Sequence, residues 1–415
     1  MKLQSILFGN RPAGDEAAPA EPDFFRDLNL DRIVRDLSMG RDEYDLTPFF
    51  RMPVRNAGLI AYRQVVMKDV EREAVSMALE SFASGMREAR RQLAQADELR
   101  YPLQQQRWLL DGADTYCRAV VELASALAAA SPSSQGLCAF LEFLNEYTAS
   151  GEFVREREEI DALREELGTV HYNILIKDGA LEVRRHDGEP DYSAEVERVF
   201  RKFREADAEG FAIQFKESVR MNHVEAKILE FVAHLFPDVF RHLAAFCESY
   251  GDRMDETVVR FDREIQFYLA YLEHMAPHRR NGLRFCYPGM QEEKRGVQAT
   301  ETFDLALADS LLAEKGEVIT NDFRLEGRER VIVVSGPNQG GKSTFLRSLG
   351  QCQLHGPGGP LRARQGRHGE PAGPAVHPLQ ARGGRQHAQR ARPLRTADEH
   401  RAVTGGDRLA AVDRR

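Results

Sequence analysis

Apolar side chains between positions 222 and 275 fall at 224, 228, 231, 235, 239, 243, 246, 250, 254, 258, 261, 265, 268, 272 and 275. That is 51 residues in 14 steps, or 3.64 per step, the repeat of an α-helix. A straight helix of that length would span roughly 80 Å at about 1.5 Å per residue, more than a compact domain needs. The stretch therefore reads as a lever or strut. Pro237 and Gly251 interrupt it and are expected to kink or break it. Its aromatic positions (Phe231, Phe246, Phe261, Phe267 and Tyr268) read as helix-packing core rather than as a platform for stacked bases.

The preceding sequence carries the same period. A short helix is expected over 24–40, with Leu28, Leu30, Ile33, Val34 and Leu37 on its apolar side. From 54 to 99 the inward candidates are Leu59, Tyr62, Val66, Val70, Met77, Phe82 and Met86, and Tyr101-Pro102 punctuates the run. Further helices are expected at 103–130 and 136–168, parted by Ser131-Pro132-Ser133-Ser134. Trp108, the only tryptophan, reads as core. At 170–185 the period changes. Residues 173–177, Asp178-Gly179 and residues 180–184 form a β-hairpin pattern with a type I′ turn signal. An isolated hairpin is marginal, so this one must pack on helices. Arg184, Arg185 and His186 at its base can touch a phosphate backbone or remain a solvated edge.

A chain of 415 residues has room for two or three domains, and 42% hydrophobic content is enough for real cores. No apolar run approaches the ~20 residues of a membrane span, and no leader pattern stands at the start. Cys117, Cys138, Cys247, Cys286 and Cys352 are odd in number, scattered and never spaced C-x-x-C, which points to a reduced, cytoplasmic protein without a zinc site. Residues 1–22 read as a disordered lead-in, rich in Ala, Pro, Glu and Asp from 11 onward.

The chemistry concentrates at one place. Val331, Ile332, Val333 and Val334 make a strand, a glycine-rich turn follows, and an amphipathic run opens at Thr344. Gly336-x-x-x-x-Gly341-Lys342-Ser343 is the P-loop pattern. In it, glycines let backbone N–H groups close on phosphates and a helix N-terminus adds positive potential. The expected ligand is ATP with Mg²⁺, held by Gly336, Pro337, Asn338, Gln339, Gly340, Gly341, Lys342, Ser343 and Thr344. Lys342 would reach the β/γ-phosphates and the Ser343 hydroxyl would ligate Mg²⁺. No residue is assigned to catalysis. Residues 283–330 read as the first strands of the same nucleotide domain.

The nonapeptide Gly-Pro-Asn-Gln-Gly-Gly-Lys-Ser-Thr at 336–344 resembles the P-loop of MutS-family ATPases, which is narrower than a generic P-loop. Ile319-Thr320-Asn321-Asp322 resembles the family's segment near the adenine, and 261–268 resembles its core helices. The resemblance covers about 50–354. It implies a mostly α fold: a helical lever and core domain over 23–282 with the hairpin as an insertion, then a truncated ABC-type α/β P-loop ATPase domain over 283–354. It further implies ATP-dependent DNA binding in mismatch repair or related DNA-structure processing, composite sites across a homodimer, and levers moved by nucleotide state. The family's amino-terminal mismatch-reading module and its Phe-x-Glu wedge have no visible counterpart.

After 354 the character changes. Residues 355–415 hold twelve Arg, no Lys and five acids, a net of +7, so the first 354 residues carry 45 basic and 60 acidic groups, a net of -15. An acidic body does not advertise a broad DNA-binding face. The tail has no Phe, Tyr, Trp, Ile or Lys, and 38 of its 61 residues are Gly, Ala, Pro or Arg. This composition fits a disordered basic tail, or a GC-rich gene read out of frame. Residues 355–364 can be encoded so that dropping one base gives Met-Ala-Gln-Ala-Gly-Leu-Phe-Val-Pro-Ala. Residues 376–389, shifted in the same direction, give a second MutS-like run. The tail is therefore expected to be frameshifted. The carboxylate-ended strand that should follow a P-loop, hold Mg²⁺ and orient water is missing from it. Two other readings compete: a helical dimerisation or scaffold protein without nucleotide function, and a coiled-coil ATPase of chromosome maintenance. The second of these places its long helices after the P-loop.

Overall fold

The computed structural model describes residues 5–9, 21, 24–52, 56–177, 180–188, 221–250, 254–285, 287, 297–325, 329, 331–354, 395–396 and 409–413. It is mostly helical. In chain order the helices are α1 (Phe24–Asp27), α2 (Leu30–Ser38), α3 (Thr47–Arg51), α4 (Ala57–Val70), α5 (Glu73–Glu98), α6 (Pro102–Ala130), α7 (Gln135–Thr148), α8 (Gly151–Gly168), α9 (His223–Leu235), α10 (Pro237–Tyr250), α11 (Glu256–Arg280), α12 (Leu305–Glu314) and α13 (Lys342–Leu354). The strands are β1 (Tyr172–Lys177), β2 (Ala180–Arg185), β3 (Val297–Thr302), β4 (Asn321–Leu325), β5 (Val331–Val334), β6 (Arg395–Thr396) and β7 (Leu409–Asp413). The chain divides into one unit of 1–83, 123–145 and 255–415 and a second of 84–122 and 146–254. This differs from the expected boundary at 282, because the second unit is an excursion out of the first.

The long apolar stripe is not one lever. Pro237 starts a new helix immediately after Leu235, and α10 ends at Tyr250, so the stripe becomes α9, α10 and α11. The first two lie in one unit and the third in the other. Asn222 and Asp255 restart helices by accepting from the second and third backbone amides beyond them. The stripe faces inward at Leu243, Phe246 and Tyr250, and again at Val258, Phe261, Ile265, Tyr268 and Met275. In α9 it does not: Val224 and Phe231 are exposed and Ala226 and Val232 take the inner face. Similar resets explain other departures. A break at 71–72 separates α4 from α5, so Val75, Ala78 and Leu79 point inward and Met77 is exposed. Asn29, at φ 55, splits the helix expected over 24–40. Ser150 caps α8 and divides 136–168.

The first unit is built around α11, buried on nearly every side from Phe261 to Tyr271. Phe140 stacks flat on Phe261, and Phe267 packs edge-on against Tyr268 and Tyr271. Residues 5–9, inside the expected disordered lead-in, are part of this core. Ile6 and Leu7 are fully buried, and Glu264 on α11 accepts from the Ser5 hydroxyl (2.8 Å), the Ile6 amide (2.7 Å) and the Leu7 amide (3.3 Å). Buried Arg63 donates to the Leu7 carbonyl at 2.8 Å and sits over the Phe8 ring. Composition argued for disorder, but burial of two aliphatic side chains and a fully used carboxylate outweigh it. Nearby, Asp69 accepts from the amides of Ser133 and Ser134 and from the Ser133 hydroxyl, which ties α4 to the turn before α7.

In the second unit the α5 and α6 segments run antiparallel, Gly85 facing Ala119 and Gly112 facing Leu93. A Cβ on either glycine would lie 2.8 Å from its neighbour. Trp108 is only half-buried, with Arg91 over its ring at 5.8 Å, so it is not the core residue expected. The hairpin has the expected register, Tyr172 opposite Arg185 and Lys177 opposite Ala180; its turn, 178–179, lies outside the described residues. As required of a marginal hairpin, it packs on a helix: Arg185 donates to the Leu235 carbonyl at the end of α9. Arg184 is engaged by Glu182 at 2.7 Å.

The region expected to begin a nucleotide domain contains two separate small sheets rather than one continuous sheet. Strands β3 and β4 pair antiparallel, and β5 pairs in parallel with β7, which pairs with β6. Seven residues of the tail expected to be disordered are therefore strands, and among the described residues β5 pairs with β7 alone. Val331 and Val333 are 46% and 41% exposed, unlike the side chains of a parallel central strand covered on both faces.

Candidate functional site

The nine residues predicted to cradle phosphates form the turn between β5 and α13. Positive φ at Gly336 (148°), Gln339 (63°) and Gly341 (82°) bends the backbone back on itself, and the Gly340 amide donates to the Pro337 carbonyl at 3.2 Å. Two of these three positions are glycine, as a left-handed backbone prefers. Gly336, Pro337, Asn338, Gln339, Gly341 and Ser343 are exposed, Gly340 is buried, and Lys342 and Thr344 are half-buried.

Lys342 opens α13 and folds over the turn. Its ammonium donates to the carbonyls of Gly336 (2.7 Å) and Pro337 (2.6 Å). A cation is thus held at the rim of a backbone loop, at a helix N-terminus with no acidic residue in its first turn. An anion entering here meets a positive end, a mobile donor and the adjacent Ser343 hydroxyl.

Helix α13 is anchored from below. Phe345 is buried and meets Phe323 of β4 edge-on at 6.2 Å, and Ile332, Val334 and Leu349 close this small core with Ala299 and Cys352. Asp304, fully buried at the N-cap of α12, lies 2.9 Å from Arg347 and accepts from Gln351 at 2.8 Å. Gln351 also accepts from the Leu305 amide and donates to the Leu28 carbonyl, so α12, α13 and the connection between α1 and α2 share one polar node. Sequence reasoning missed this node. The available signal was Asp304 ahead of the apolar run 305–308, a helix-start pattern, but its partners are 43 and 47 positions away.

The segment expected near an adenine is split. Ile319 is exposed, Asn321 and Asp322 begin β4, and both are engaged with β3: Thr302 donates to the Asn321 carbonyl at 2.9 Å and the Glu301 amide to the Asp322 carboxylate. Four cysteines, Cys117, Cys138, Cys247 and Cys352, are free, and Cys286 lies outside the described residues. Among the described residues no helix is long and apolar enough to cross a membrane.

No family model matches the chain. Known proteins with local similarity to the chain include the following two. One is the DNA mismatch repair protein Msh3 of Mus musculus, 34% identical over 65 residues, which cover 16% of this chain and 6% of that protein. The other is the endonuclease MutS2 of Pediococcus pentosaceus, 36% identical over 58 residues, which cover 14% of this chain and 7% of that protein. The similarity is to the MutS family and is confined to short stretches.

Proposed function

We propose that this chain derives from a MutS-related, ATP-dependent DNA-binding protein, acting in mismatch repair or related processing of DNA structure. One observation carries the reading: Gly-Pro-Asn-Gln-Gly-Gly-Lys-Ser-Thr stands between a strand and a helix, its lysine ammonium drawn over the loop. The short similarities to Msh3 and MutS2 support it. In this reading residues 336–344 hold ATP, Lys342 meets the β/γ-phosphates and Ser343 binds Mg²⁺. Nucleotide state would reposition the helices on DNA. The frame-restored protein would act as a cytoplasmic homodimer.

The chain as it stands is an inactive, frameshifted form. Hydrolysis needs a carboxylate on a neighbouring strand and a group that positions water. The strand now beside β5 ends in Asp413, but residues 355–415 have the composition of an out-of-frame tail. ATP turnover should therefore be absent. Measurable ATPase activity that Lys342→Ala abolishes would overturn this. The half-exposed Val331 and Val333 favour a second reading, a helical scaffold without nucleotide function. Filter binding with mismatched, branched and perfect duplexes separates the two. ATP-sensitive binding by a frame-corrected chain supports the first, and no DNA binding at low salt supports the second.

A further inference from the structure

Two imidazoles and a carboxylate converge at the end of α11 in the first unit. His274 and His278 are four apart and therefore share a helix face. Asp309 of α12 lies between them, its Oδ1 2.7 Å from His278 Nε2 and 3.3 Å from His274 Nε2. The three ligand atoms all lie within 4.8 Å of one another. Burial is nearly complete: side-chain exposure is 12% for His274, 2% for His278 and 12% for Asp309. Yet the cluster is not satisfied by hydrogen bonds. His274 Nε2, though close to Asp309, is misaligned for one, and Asp309 Oδ2 is buried without a partner. Phe285 covers the His278 ring and meets Phe303 edge-on, giving the cluster an apolar wall.

We propose that His274 Nε2, His278 Nε2 and an Asp309 carboxylate oxygen bind a Zn²⁺-class divalent ion, with water as the fourth ligand. Bonds of about 2.0–2.2 Å in a tetrahedral ion place ligand atoms roughly 3.3 Å apart. The His274–Asp309 separation already matches. The His278–Asp309 hydrogen bond opens by about 0.6 Å, and the two imidazoles draw together by side-chain rotation. Two imidazoles with one carboxylate favour zinc and its late first-row neighbours over Mg²⁺ or Ca²⁺, which take oxygen-rich shells. The ion would staple α12 to α11, and α12 carries the Asp304 node that holds α13 under the phosphate loop.

The test uses the full chain stripped with a chelator, without nucleotide. Zn²⁺ is titrated calorimetrically, and Co²⁺ reports coordination through its visible spectrum. The expected result is one ion per chain, a low-symmetry Co²⁺ spectrum and a Zn²⁺-dependent rise in thermal midpoint. His274→Ala, at the more exposed edge, should weaken binding by about 100-fold or more, since loss of outer-shell partners alone costs 10–100-fold. It should also remove the thermal rise while leaving the far-ultraviolet circular dichroism unchanged. Asp309→Asn is the second variant, expected to lose the Co²⁺ spectrum should His274→Ala not fold. A folded wild-type chain that binds neither ion, or variants that bind as tightly as wild type, would overturn the proposal and leave the cluster a hydrogen-bonded ion pair.

Discussion

Glu264→Ala tests how the first unit closes on itself. The Glu264 carboxylate is 2% exposed and receives the Ser5 hydroxyl and the Ile6 and Leu7 amides. Removing it orphans the Ile6 amide and costs the Ser5 hydroxyl both its acceptors, whereas the Leu7 amide keeps the Ser5 oxygen at 3.1 Å. Two buried orphans at about 1–3 kcal/mol each set a loss of roughly 2–6 kcal/mol. Relief of the carboxylate's own desolvation, which pushes its pKa up, works against this. Detaching residues 5–9 instead would expose Ile6 and Leu7 at about 1.5–3 kcal/mol each, so escape by that route is no cheaper. We expect a net loss of about 2–4 kcal/mol, read as a lower urea midpoint, with the Ile6 and Leu7 amides losing protection from hydrogen exchange. A variant within ~0.5 kcal/mol of wild type with both amides still protected would refute the reasoning.

Other perturbations follow from the same contacts. The raised pKa of Glu264 means the folded state holds its proton above the ordinary value of 4.5. Wild-type stability should therefore fall as pH rises from there through the folded pKa, and Glu264→Gln should flatten that slope in denaturation curves. Asp69 has the opposite sign: burial pushes its carboxyl up, but hydrogen bonds from Ser134 and Ser133 win and hold it below 3.8. Its contribution is present above that value and is lost as pH falls through the folded pKa, so Asp69→Asn should reduce stability at neutral pH and weaken its acid dependence. Gly350→Ala would place a Cβ 2.5 Å from Leu28 Cδ2. We expect about 1–3 kcal/mol of destabilisation, relieved in the double variant with Leu28→Ala and measurable by thermal melting.

What was legible depended on how local the signal is. The hairpin was readable to within a residue because alternation and an Asp-Gly turn are local. The strand before the loop at 336–344 was equally readable, and the helix after it starts at Lys342, two residues ahead of the expected Thr344. The long stripe gave the inward face of α10 and α11, and Pro237 marked the break between α9 and α10, but period alone cannot say that α10 and α11 belong to different units. Residues 5–9 were missed because their order comes from Glu264, about 260 positions away, and no local pattern announces that partner. The Asp304 node and the pairing of Asp309 with His274 and His278 were hidden in the same way. His274-x-x-x-His278 was visible in the sequence; the carboxylate that completes the cluster was not. The strand pairing at 409–413 opposes the expectation drawn from composition, since Leu409, Ala410, Ala411 and Val412 are the tail's densest apolar run.

The central claim is that the loop at 336–344 couples nucleotide to DNA in the protein this chain derives from. Its most direct test is retention of a branched or mismatched duplex on filters at low salt by the chain with its reading frame restored after residue 354, with and without Mg²⁺-ATP. The account predicts that ATP changes DNA affinity and that Lys342→Ala removes the ATP effect while leaving nucleotide-free binding intact. DNA binding that ignores ATP, or no DNA binding at all by the folded, frame-restored chain, would contradict it.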